Sequence, residues 1–520
     1  MKQRGMWFLV TALPLVILSC NLVTDLRPEE DENGAAEGIP AVEYTPFVPE
    51  GGVPEAPILT GEEYSCTYFV SPSGDDDSLG DETQPWGTFQ HAADTAQPGD
   101  TVCFRGGIYA LDDVLRISNS GTDEAMIVFI AYPGERPILD GGGEVRELLI
   151  FQQGASILRF SGFTLQNFRI WGIEVSGENR YLHFDHLEII GGESAIHFTY
   201  GESSEGPPAE GPVEYITLED SLIHGSIYSA VDCTPGPCNH MIVRRVEVYG
   251  TGLVGESHYG SDGIEFARGY PVLVEDCYVH DNGGDGIDLN SRDRDGYANG
   301  VIVRRNRVVR NHLNGIKLWA GGRIENNIVW GQGNSAIWAG TFHSVLEVIN
   351  NTVAYNMFDP SFGERNWAFV IGYPEELDEP QVELLLVNNI FAFNTGPQLG
   401  EPTALYLGSG VKVTEHHNLY FSSAEEEITA EFLGREVSRQ DIEGSTWADL
   451  TGQGQGSLVL DPLFLSEWPE VDLHPQPGSP VIDAGDNEAC PETDVFGEPR
   501  PVDGDGDGDS TCDMGAIEQQ

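Results

Sequence analysis

The sequence is poor in positive charge and above all in lysine. Its 520 residues hold 84 acidic side chains against 26 lysines and arginines, which gives a formal net charge of −58. Lysine occurs only as Lys2, Lys317 and Lys412. Because binding to nucleic acid requires clustered basic residues, this composition argues against nucleic acid as a partner. It also leaves the presence of Lys317, deep inside so acidic a chain, to be explained.

Long apolar runs are scarce as well. One such run, Met6 to Leu18, follows a basic start and precedes Cys20, and it is too short to span a membrane. It predicts a signal peptide over residues 1–20. The letters "ILSC" resemble a bacterial lipobox, which implies a lipid on Cys20 and an extracellular or cell-surface lipoprotein attached to the membrane only through that lipid. The alternative is an ordinary secretory signal.

Composition divides the remaining chain into three segments. Residues 21–62 are rich in Pro, Glu and Gly without hydrophobic periodicity and are predicted to be a flexible tether. Residues 63–460 carry the repeats described below. Residues 461–520 are predicted to form an irregular capping tail, in which Asp503, Asp505 and Asp507 have the spacing of a calcium loop but lack its final glutamate.

Cysteine is infrequent, and export of the chain would permit disulfides. Cys277 lies in an apolar stretch and is predicted to be buried and unreactive. With Cys20 also set aside, the remaining six cysteines suggest three bridges, Cys66 with Cys103 near the start of the fold, Cys233 with Cys238, and Cys490 with Cys512 in the tail.

Helical periodicity is nearly absent, and a short motif recurs in its place. The motif consists of a small residue, an apolar one, a variable one and another apolar one, and its late copies begin 21 to 29 residues apart. Such a repeat length is typical of solenoids, and short β-prone runs between polar turns predict an all-β parallel β-helix. Leucine-rich repeats and propellers fit the spacing less well. The copies are Gly172 "GIEV", Ala195 "AIHF", Ala230 "AVDC", Gly263 "GIEF", Gly286 "GIDL", Gly315 "GIKL" and Ala336 "AIWA".

The start of the predicted fold resembles that of many secreted bacterial right-handed parallel β-helix proteins, over Tyr68–Tyr109 and "YPGERPILDG". The resemblance implies a right-handed coil. A short helix around Phe89 to Ala96 is expected to cap the first sheet edge. The recurring asparagines 306, 327, 351 and 389 are interpreted as a structural ladder, since asparagine tolerates left-handed turns and amides stack between coils.

The repeats place particular side chains above one another. In a parallel β-helix, equivalent positions of successive coils lie about 4.8 Å apart. The apolar residues of each motif point inward, so the residue between them faces outward. Glu265, Asp288 and Lys317 are therefore predicted to form a column, with His197 and Asp232 before them and Trp338 after.

A second column should lie beside the first, because Asp262, Asp285 and Asn314 each precede the glycine of a repeat. Together the columns bring Asp262, Glu265, Asp285 and Asp288 onto two neighbouring coils. Such carboxylates repel one another, and a hard cation with oxygen ligands, Ca²⁺ rather than Mg²⁺, would relieve the repulsion.

Lys317 has two interpretations. It can cap the column through an ion pair with Asp288. It can also act as a base, because arginine would make the better permanent ion pair whereas lysine can lose its proton. Trp319 and Trp338 are either available to stack on sugar rings or covered by the long insertion of residues 357–377. In the first case this arrangement suits removal of the C5 proton of a uronate, followed by elimination.

The aspartates at "DGID" and the lysine of "NGIKL" resemble the pectate lyase family that has an aspartate calcium site and a lysine base. The resemblance implies calcium at Asp262, Asp285 and Asp288, and catalysis by Lys317. The family's fourth aspartate is Gly284 here, so Glu265 or Asp281 would have to replace it.

Arg268, Arg292 and Arg294 follow the acidic strands in apparent loops and are candidates to bind substrate carboxylates. Balancing the neighbouring acids is an equally good interpretation. The sequence thus predicts a monomeric, calcium-dependent lyase acting on an acidic, pectate-like polysaccharide. Two alternatives stay open, a non-catalytic glycan-binding or adhesion protein, and a glycoside hydrolase that uses Glu265 and Asp288.

Overall fold

The computed structural model describes residues 65–198, 211–252, 260–289, 300–339, 344–356, 368–371, 382–394, 404–407, 411–422, 428–432, 435–467 and 470–520. The predicted signal peptide, Cys20 and the tether fall outside these residues. Within the described part of the chain, no helix is long and apolar enough to cross a membrane.

Short parallel strands from successive coils build two large sheets, which confirms the predicted parallel β-helix. The first, called the site sheet, contains thirteen strands in the described residues. They are Leu115–Ile117, Glu147–Phe151, Trp171–Val175, Ser194–Phe198, Val231–Cys233, Ile264–Phe266, Ile287–Leu289, Ile316–Leu318, Ile337–Ala339, Phe369–Ile371, Leu405–Leu407, Ile428–Phe432 and Arg435–Ser438. Only the last pair is antiparallel.

The second sheet contains 23 strands in the part of the chain that the structure describes. They form two parallel ladders, which join where two strands of twelve residues run through both. The strands are Tyr68–Val70, Thr101–Phe104, Gly107–Ala110, Ile127–Ala131, Pro137–Asp140, Leu158–Ser161, Thr164–Gln166, Arg180–Asp185, Glu188–Ile190, Val213–His224, Cys238–Tyr249, Val272–Glu275, Tyr278–His280, Val301–Arg304, Arg307–Val309, Gly322–Glu325, Ile328–Trp330, Ser344–Ile349, Thr352–Ala354, Val382–Val387, Ile390–Ala392, Val411–His416 and Leu419–Phe421.

The first coil is covered by the predicted helix, Phe89–Thr95. Thr88 caps it by accepting a hydrogen bond from the backbone N–H of His91. Phe89 is buried and stacks on Phe104 with ring centroids 4.9 Å apart. The helix therefore closes the apolar interior at the edge where the sheets begin.

The asparagine ladder is present and structural, as predicted. The side-chain amide of each asparagine donates to the amide oxygen of the next, at 3.0 Å from Asn306 to Asn327 and at the following two steps. A second buried ladder, which the sequence analysis missed, includes Asn282 and Asn311, 2.9 Å apart. The prediction that the ladder asparagines themselves adopt the left-handed conformation is wrong. The residue with positive φ is the one before each ladder asparagine, as at Asn326 and Asn350.

The region after the coils contains two short helices that were not predicted, Arg439–Glu443 and Thr446–Thr451. It continues into the tail, residues 461–520, in which Phe464–Ser466 pairs with Asp472–Pro475. The tail packs on the turns of earlier coils. Asn350 donates to the carbonyl of Asp513 at 2.8 Å, and the buried Arg500 donates to the side chain of Asn326 at 2.7 Å.

Three disulfides join the cysteines that the sequence placed together, Cys66–Cys103, Cys233–Cys238 and Cys490–Cys512. Cys277 is buried and carries a free thiol. Burial raises the pKa of this thiol to about 12, so it is held in its neutral form.

Candidate functional site

Four consecutive three-residue strands of the site sheet carry the predicted column. In Ile264–Phe266 and Ile316–Leu318 the first and third residues are buried, and the side chain of the second residue faces away from the core. The registers pair Glu265 with Asp288, Asp288 with Lys317, and Lys317 with Trp338. The order of residues in the column is therefore the predicted one. It follows from two facts, that side chains alternate between the two faces of a strand and that each sequence repeat forms one coil.

The neighbouring column is fixed by hydrogen bonds between coils. The backbone N–H of Asp285 donates to Asp262 Oδ1 at 2.6 Å. The backbone N–H and side-chain amide of Asn314 both donate to Asp285 Oδ1, at 2.8 and 2.7 Å. One oxygen of each aspartate is thus bound by the next coil, which fixes the direction of the carboxylate.

Asp262, Asp285 and Asp288 form what we call the acidic cluster. All three are buried, and one carboxylate oxygen from each lies within 4.8 Å of the others. Opposite ligands of a calcium ion, bound at about 2.3–2.6 Å, would be separated by about 4.6–5.2 Å. The spacing of the acidic cluster therefore fits a single calcium ion with carboxylate ligands.

Lys317 lies against this cluster. Its Nζ is 3.0 Å from Asp285 Oδ2 and 3.2 Å from Asp288 Oδ2, so the ion pair involves one carboxylate more than predicted. The ammonium also lies 4.9 Å from the ring centre of Trp319 and 5.8 Å from that of Trp338. The ammonium of Lys317 therefore lies between the two aspartates and the two tryptophan rings.

The two tryptophans are arranged edge to face, with centroids 4.3 Å apart and planes at 62°. Trp319 Nε1 donates to Asp288 Oδ1 at 2.7 Å, a contact that the sequence did not reveal. Both rings are only partly buried. They can thus present apolar surface beside the Lys317 ammonium, as expected for contact with a sugar ring.

Burial and like charge alter the protonation of the cluster. Burial, together with the carboxylates of Asp285, Glu265 and Asp288, raises the pKa of Asp262 well above its usual range. Burial also raises the pKa of Asp288, although Lys317 opposes the shift. Three carboxyl groups thus face one lysine, and in the absence of a cation the raised pKa values favour protonated, neutral carboxyls.

The pKa of Lys317 moves in the direction opposite to that required of a base. Burial acts to lower it, but the carboxylates of Asp285, Asp288 and Asp262 outweigh burial and raise it well above its usual value. Lys317 is therefore charged near neutral pH in the free protein. A neutral lysine requires additional positive charge near the acidic cluster.

Glu265 lies one coil before Asp288 and outside the acidic cluster. Ser229, missed by sequence reasoning, donates to Glu265 Oε2 at 2.7 Å. Burial, together with Asp232 and Asp288, raises the pKa of Glu265 to about 7. It could contribute to a cation site only from the edge of the cluster.

The column continues into a histidine–aspartate pair. His197 Nδ1 is 2.8 Å from Asp232 Oδ2, and the ring of His197 stacks on Trp171 at 4.3 Å. The repeats predicted the two polar residues but missed Trp171, which precedes the glycine of its motif. These side chains extend the polar and aromatic surface of the site sheet before Glu265.

Gly284, which stands where the resemblance implies an aspartate, is required by packing. A Cβ at this position would lie 2.4 Å from Asp262 Oδ1 and 2.8–2.9 Å from the carbonyl group of Ser261. Asp281, considered as a replacement, instead pairs with Arg310 at 2.6 Å and with His280 at 2.6 Å. Asp281 is therefore not a ligand of this site.

The predicted substrate-binding arginines are only partly described. Arg268 is exposed just after the strand that carries Glu265. Arg292 and Arg294 lie outside the described residues. Their contact with substrate stays a prediction.

Comparisons with known proteins agree with this architecture. Residues 68–204 match a family model described as Pel9A-like, right handed beta helix region, and residues 154–353 match one described as right handed beta helix region. Over 77 residues, 15% of this chain and 19% of the relative, the sequence is 42% identical to pectate lyase PEL9 of Emericella nidulans.

A longer match joins the chain to the uncharacterized protein YwoF of Bacillus subtilis. The two are 23% identical over 483 residues, which cover 81% of this chain and 94% of the relative. Among solved structures, the complex of XylC with xylose aligns with a TM-score of 0.52 and 11% identity, covering 86% of this chain and 98% of that one. The chain is a right-handed parallel β-helix that resembles the pectate lyases.

Proposed function

We propose that the protein is a calcium-dependent lyase that cleaves a uronate-containing, pectate-like polysaccharide by β-elimination. The observation that carries the proposal is the position of Lys317, whose Nζ lies 3.0–3.2 Å from two buried aspartates and faces two partly exposed tryptophans. A single ammonium thus lies between a cation site and a sugar-stacking surface.

Asp262, Asp285 and Asp288 would hold the calcium ion, and their spacing and mutual repulsion support this assignment. When bound, calcium supplies positive charge that favours the neutral form of Lys317 and stabilises charge developing on the substrate carboxylate. Gly284 leaves room for the Asp262 carboxylate, so three aspartates rather than four define the site.

The remaining steps belong to the side chains of this chain. Trp319 and Trp338 would orient the sugar ring over Lys317. The neutral amine of Lys317 takes the proton from C5, and the electrons of the C5–H bond pass into the enolate form of the substrate carboxylate. They return to form the C4–C5 double bond as the C4–O bond breaks with its electron pair on oxygen, and the leaving oxygen takes a proton from water. The products are one fragment with an unsaturated uronate at its non-reducing end and a second fragment with a new reducing end.

The test is to incubate the full chain with polygalacturonate, with calcium or with chelator, and to follow the ultraviolet absorbance of unsaturated products. We expect the absorbance to increase only with calcium and to be lost in Lys317→Ala. Lys412→Ala is the matched control, since Lys412 pairs with Glu383 on the exposed surface. It should retain wild-type activity.

The same assay distinguishes the alternatives. Reducing ends without unsaturated products would overturn the lyase proposal in favour of hydrolysis by carboxylates such as Glu265 and Asp288. Calcium-dependent retention of the polymer without cleavage would overturn it in favour of a binding protein, a role in which Lys317 acts only through its two ion pairs.

We further propose that the chain acts as a monomer outside the cell, attached by a lipid on Cys20. The "ILSC" motif supports this location. Expression of Cys20→Ala in a bacterial host should move the protein from the membrane fraction to the soluble fraction. Light scattering on that soluble form should give the mass of one chain.

A further inference from the structure

Two adjacent histidines and a carboxylate meet where the tail crosses the late coils. His416 ends the strand Val411–His416, His417 follows it, and Asp486 belongs to the tail. The Nδ1 atoms of the histidines are 3.0 Å apart, and His416 Nδ1 is 3.6 Å from Asp486 Oδ2. All three candidate ligand atoms lie within 4.8 Å of one another.

Backbone geometry brings both rings to one side. Successive residues of a strand point to opposite faces, but His417 has a φ of +52°, in the left-handed region. Its N–H donates to the carbonyl of Gln455 at 2.9 Å, and Gly456 lies so close that a Cβ there would be 2.5 Å from the imidazole of His417. The position of this ring is therefore fixed by the surrounding backbone.

Asp486 is fixed just as firmly. Its N–H donates to Asn388 Oδ1 at 2.7 Å, and its carbonyl accepts from Asn388 Nδ2 at 3.0 Å. Its Oδ1 accepts the backbone N–H of Glu488 at 2.9 Å, while Oδ2 faces His416. One carboxylate oxygen is thus directed at the histidine pair by contacts that do not involve the pair.

The separations fit a small tetrahedral ion. Bonds of about 2.0–2.1 Å in tetrahedral geometry place ligands about 3.3–3.4 Å apart, between the observed 3.0 and 3.6 Å. Two imidazoles and a carboxylate suit zinc, whereas calcium prefers oxygen ligands alone. We propose that His416, His417 and Asp486 bind one Zn²⁺-class ion, with water as the fourth ligand, which ties the tail to the coils.

A second cluster of histidine and carboxylate side chains differs from the His416–His417–Asp486 cluster in its arginine partners. His183, Asp185 and Glu219 also lie within 4.8 Å of one another, but Arg159 binds Asp185 at 2.6 Å and Arg244 binds Glu219. Among the ion pairs of the described residues, Asp486 pairs only with His416. The carboxylate in the tail has no guanidinium partner of this kind, so it remains available to a metal.

The proposed ion would act independently of the lyase site, because its ligands lie on the second sheet and the tail rather than on the site sheet. The experiment uses the full chain after dialysis against chelator, with excess calcium present to saturate the acidic cluster. Zn²⁺ binding is measured by calorimetry, and Co²⁺ replaces it to report coordination through visible absorption, which is much stronger for four-coordinate than for six-coordinate cobalt.

We expect one Zn²⁺ per chain, the strong cobalt spectrum and a melting temperature that rises with zinc concentration. His417→Gln and Asp486→Asn should each weaken zinc binding at least tenfold, and Asp486→Asn keeps the backbone contacts with Asn388. His183→Gln is the matched control and should bind zinc as the wild type does.

Absence of zinc binding by a folded wild-type chain would overturn the proposal. So would zinc binding that His417→Gln and Asp486→Asn leave unchanged while circular dichroism shows both variants folded. Loss of lyase activity is not a readout here, so failure of the catalytic proposal would leave this result intact.

Discussion

The two sheets of the molecule treat buried carboxylates differently. On the second sheet, several acids pair with arginines of the next coil. We call the surface of these pairs the arginine face, and it consists of Glu219, Glu275, Asp276, Arg244, Arg245, Arg304 and Arg305. There Arg305 binds Asp276 at 2.7 Å and Glu275 at 2.9 Å. On the site sheet, three buried aspartates lie together, and Lys317 forms ion pairs with two of them, Asp285 and Asp288. The acids of the arginine face are paired with their own arginines, whereas the acidic cluster has more carboxyl groups than basic side chains and is left to bind protons or a cation.

The difference separates a structural use of charge from a functional one. Guanidinium groups are planar, bidentate and permanently charged, so they neutralise carboxylates without further help. One lysine beside three carboxylates leaves a charge that a cation can balance, and it introduces a group that can lose a proton. The identity of the basic residue therefore distinguishes the two surfaces.

The largest expected effect comes from making the site sheet resemble the arginine face. Lys317→Arg retains the positive charge beside Asp285 and Asp288 but removes the ability to give up a proton near neutral pH. We expect the rate of elimination to fall by about 10²–10⁴, the usual contribution of a general base, with little change in melting temperature. Retention of activity within a few-fold would show that Lys317 acts by charge alone.

A smaller effect is expected from breaking the arginine face. Arg305→Met leaves Glu275 and Asp276 without this partner, and because the pairs are partly exposed we expect a loss of about 2 kcal/mol in the free energy of unfolding. Urea unfolding with and without calcium would measure it. Calcium should not restore the loss, and full restoration would contradict the contrast between the two surfaces.

The response to pH should also differ. The pKa of Glu265 is raised from 4.5 to about 7, and those of Asp262 and Asp288 are also raised. The folded state then binds more protons than the unfolded state, so stability in chelator should fall as pH rises from about 4.5 to 7. The raised pKa of Lys317 acts only above its ordinary value, outside this window.

Unfolding measured across this pH range with chelator and with calcium would show the effect. Calcium should flatten the profile, since it favours the ionised carboxylates. Asp262→Asn should reduce the slope in chelator by removing the contribution of Asp262, because its amide oxygen still accepts from the N–H of Asp285 while the ionisable group is gone. An unchanged profile in that variant would contradict a contribution from the acidic cluster and leave Glu265 as the source of the pH dependence.

The smallest effect is expected at Lys412, whose ion pair with Glu383 is well exposed, at 70% and 63% of the two side chains. Lys412→Met should change stability by about 0–0.5 kcal/mol and leave activity unchanged. Thermal melts and the elimination assay provide the comparison. A large loss in this variant would mean that the scarcity of lysine, rather than its position at 317, underlies the effects at the site.

Much of the site could be predicted because repeats convert sequence alignment into proximity. The order Glu265, Asp288, Lys317 and Trp338 followed from strand alternation and from one motif per coil. The ladder asparagines followed in the same way. What the sequence could not predict depends on side-chain direction, such as the bond from Trp319 to Asp288.

Contacts between turns of unequal length could not be predicted from the sequence either. The approach of Gly284 to Asp262 and the pairing of Asp281 with Arg310 depend on how each turn is routed between strands. The meeting of His416 and His417 with Asp486 depends on a tail that has no repeat. Periodicity is informative only where the chain is periodic.

The attachment of the tail bears on how the molecule can be made. Each coil bonds chiefly to the coils beside it, so the helix can assemble progressively as the chain emerges. Arg500 and Asp513, however, contact Asn326 and Asn350, whose coils are synthesised more than 160 residues earlier. The turns of these coils therefore stay exposed to solvent until residues 461–520 have been synthesised. Docking of the tail is thus a late step of folding that depends on contacts distant in sequence.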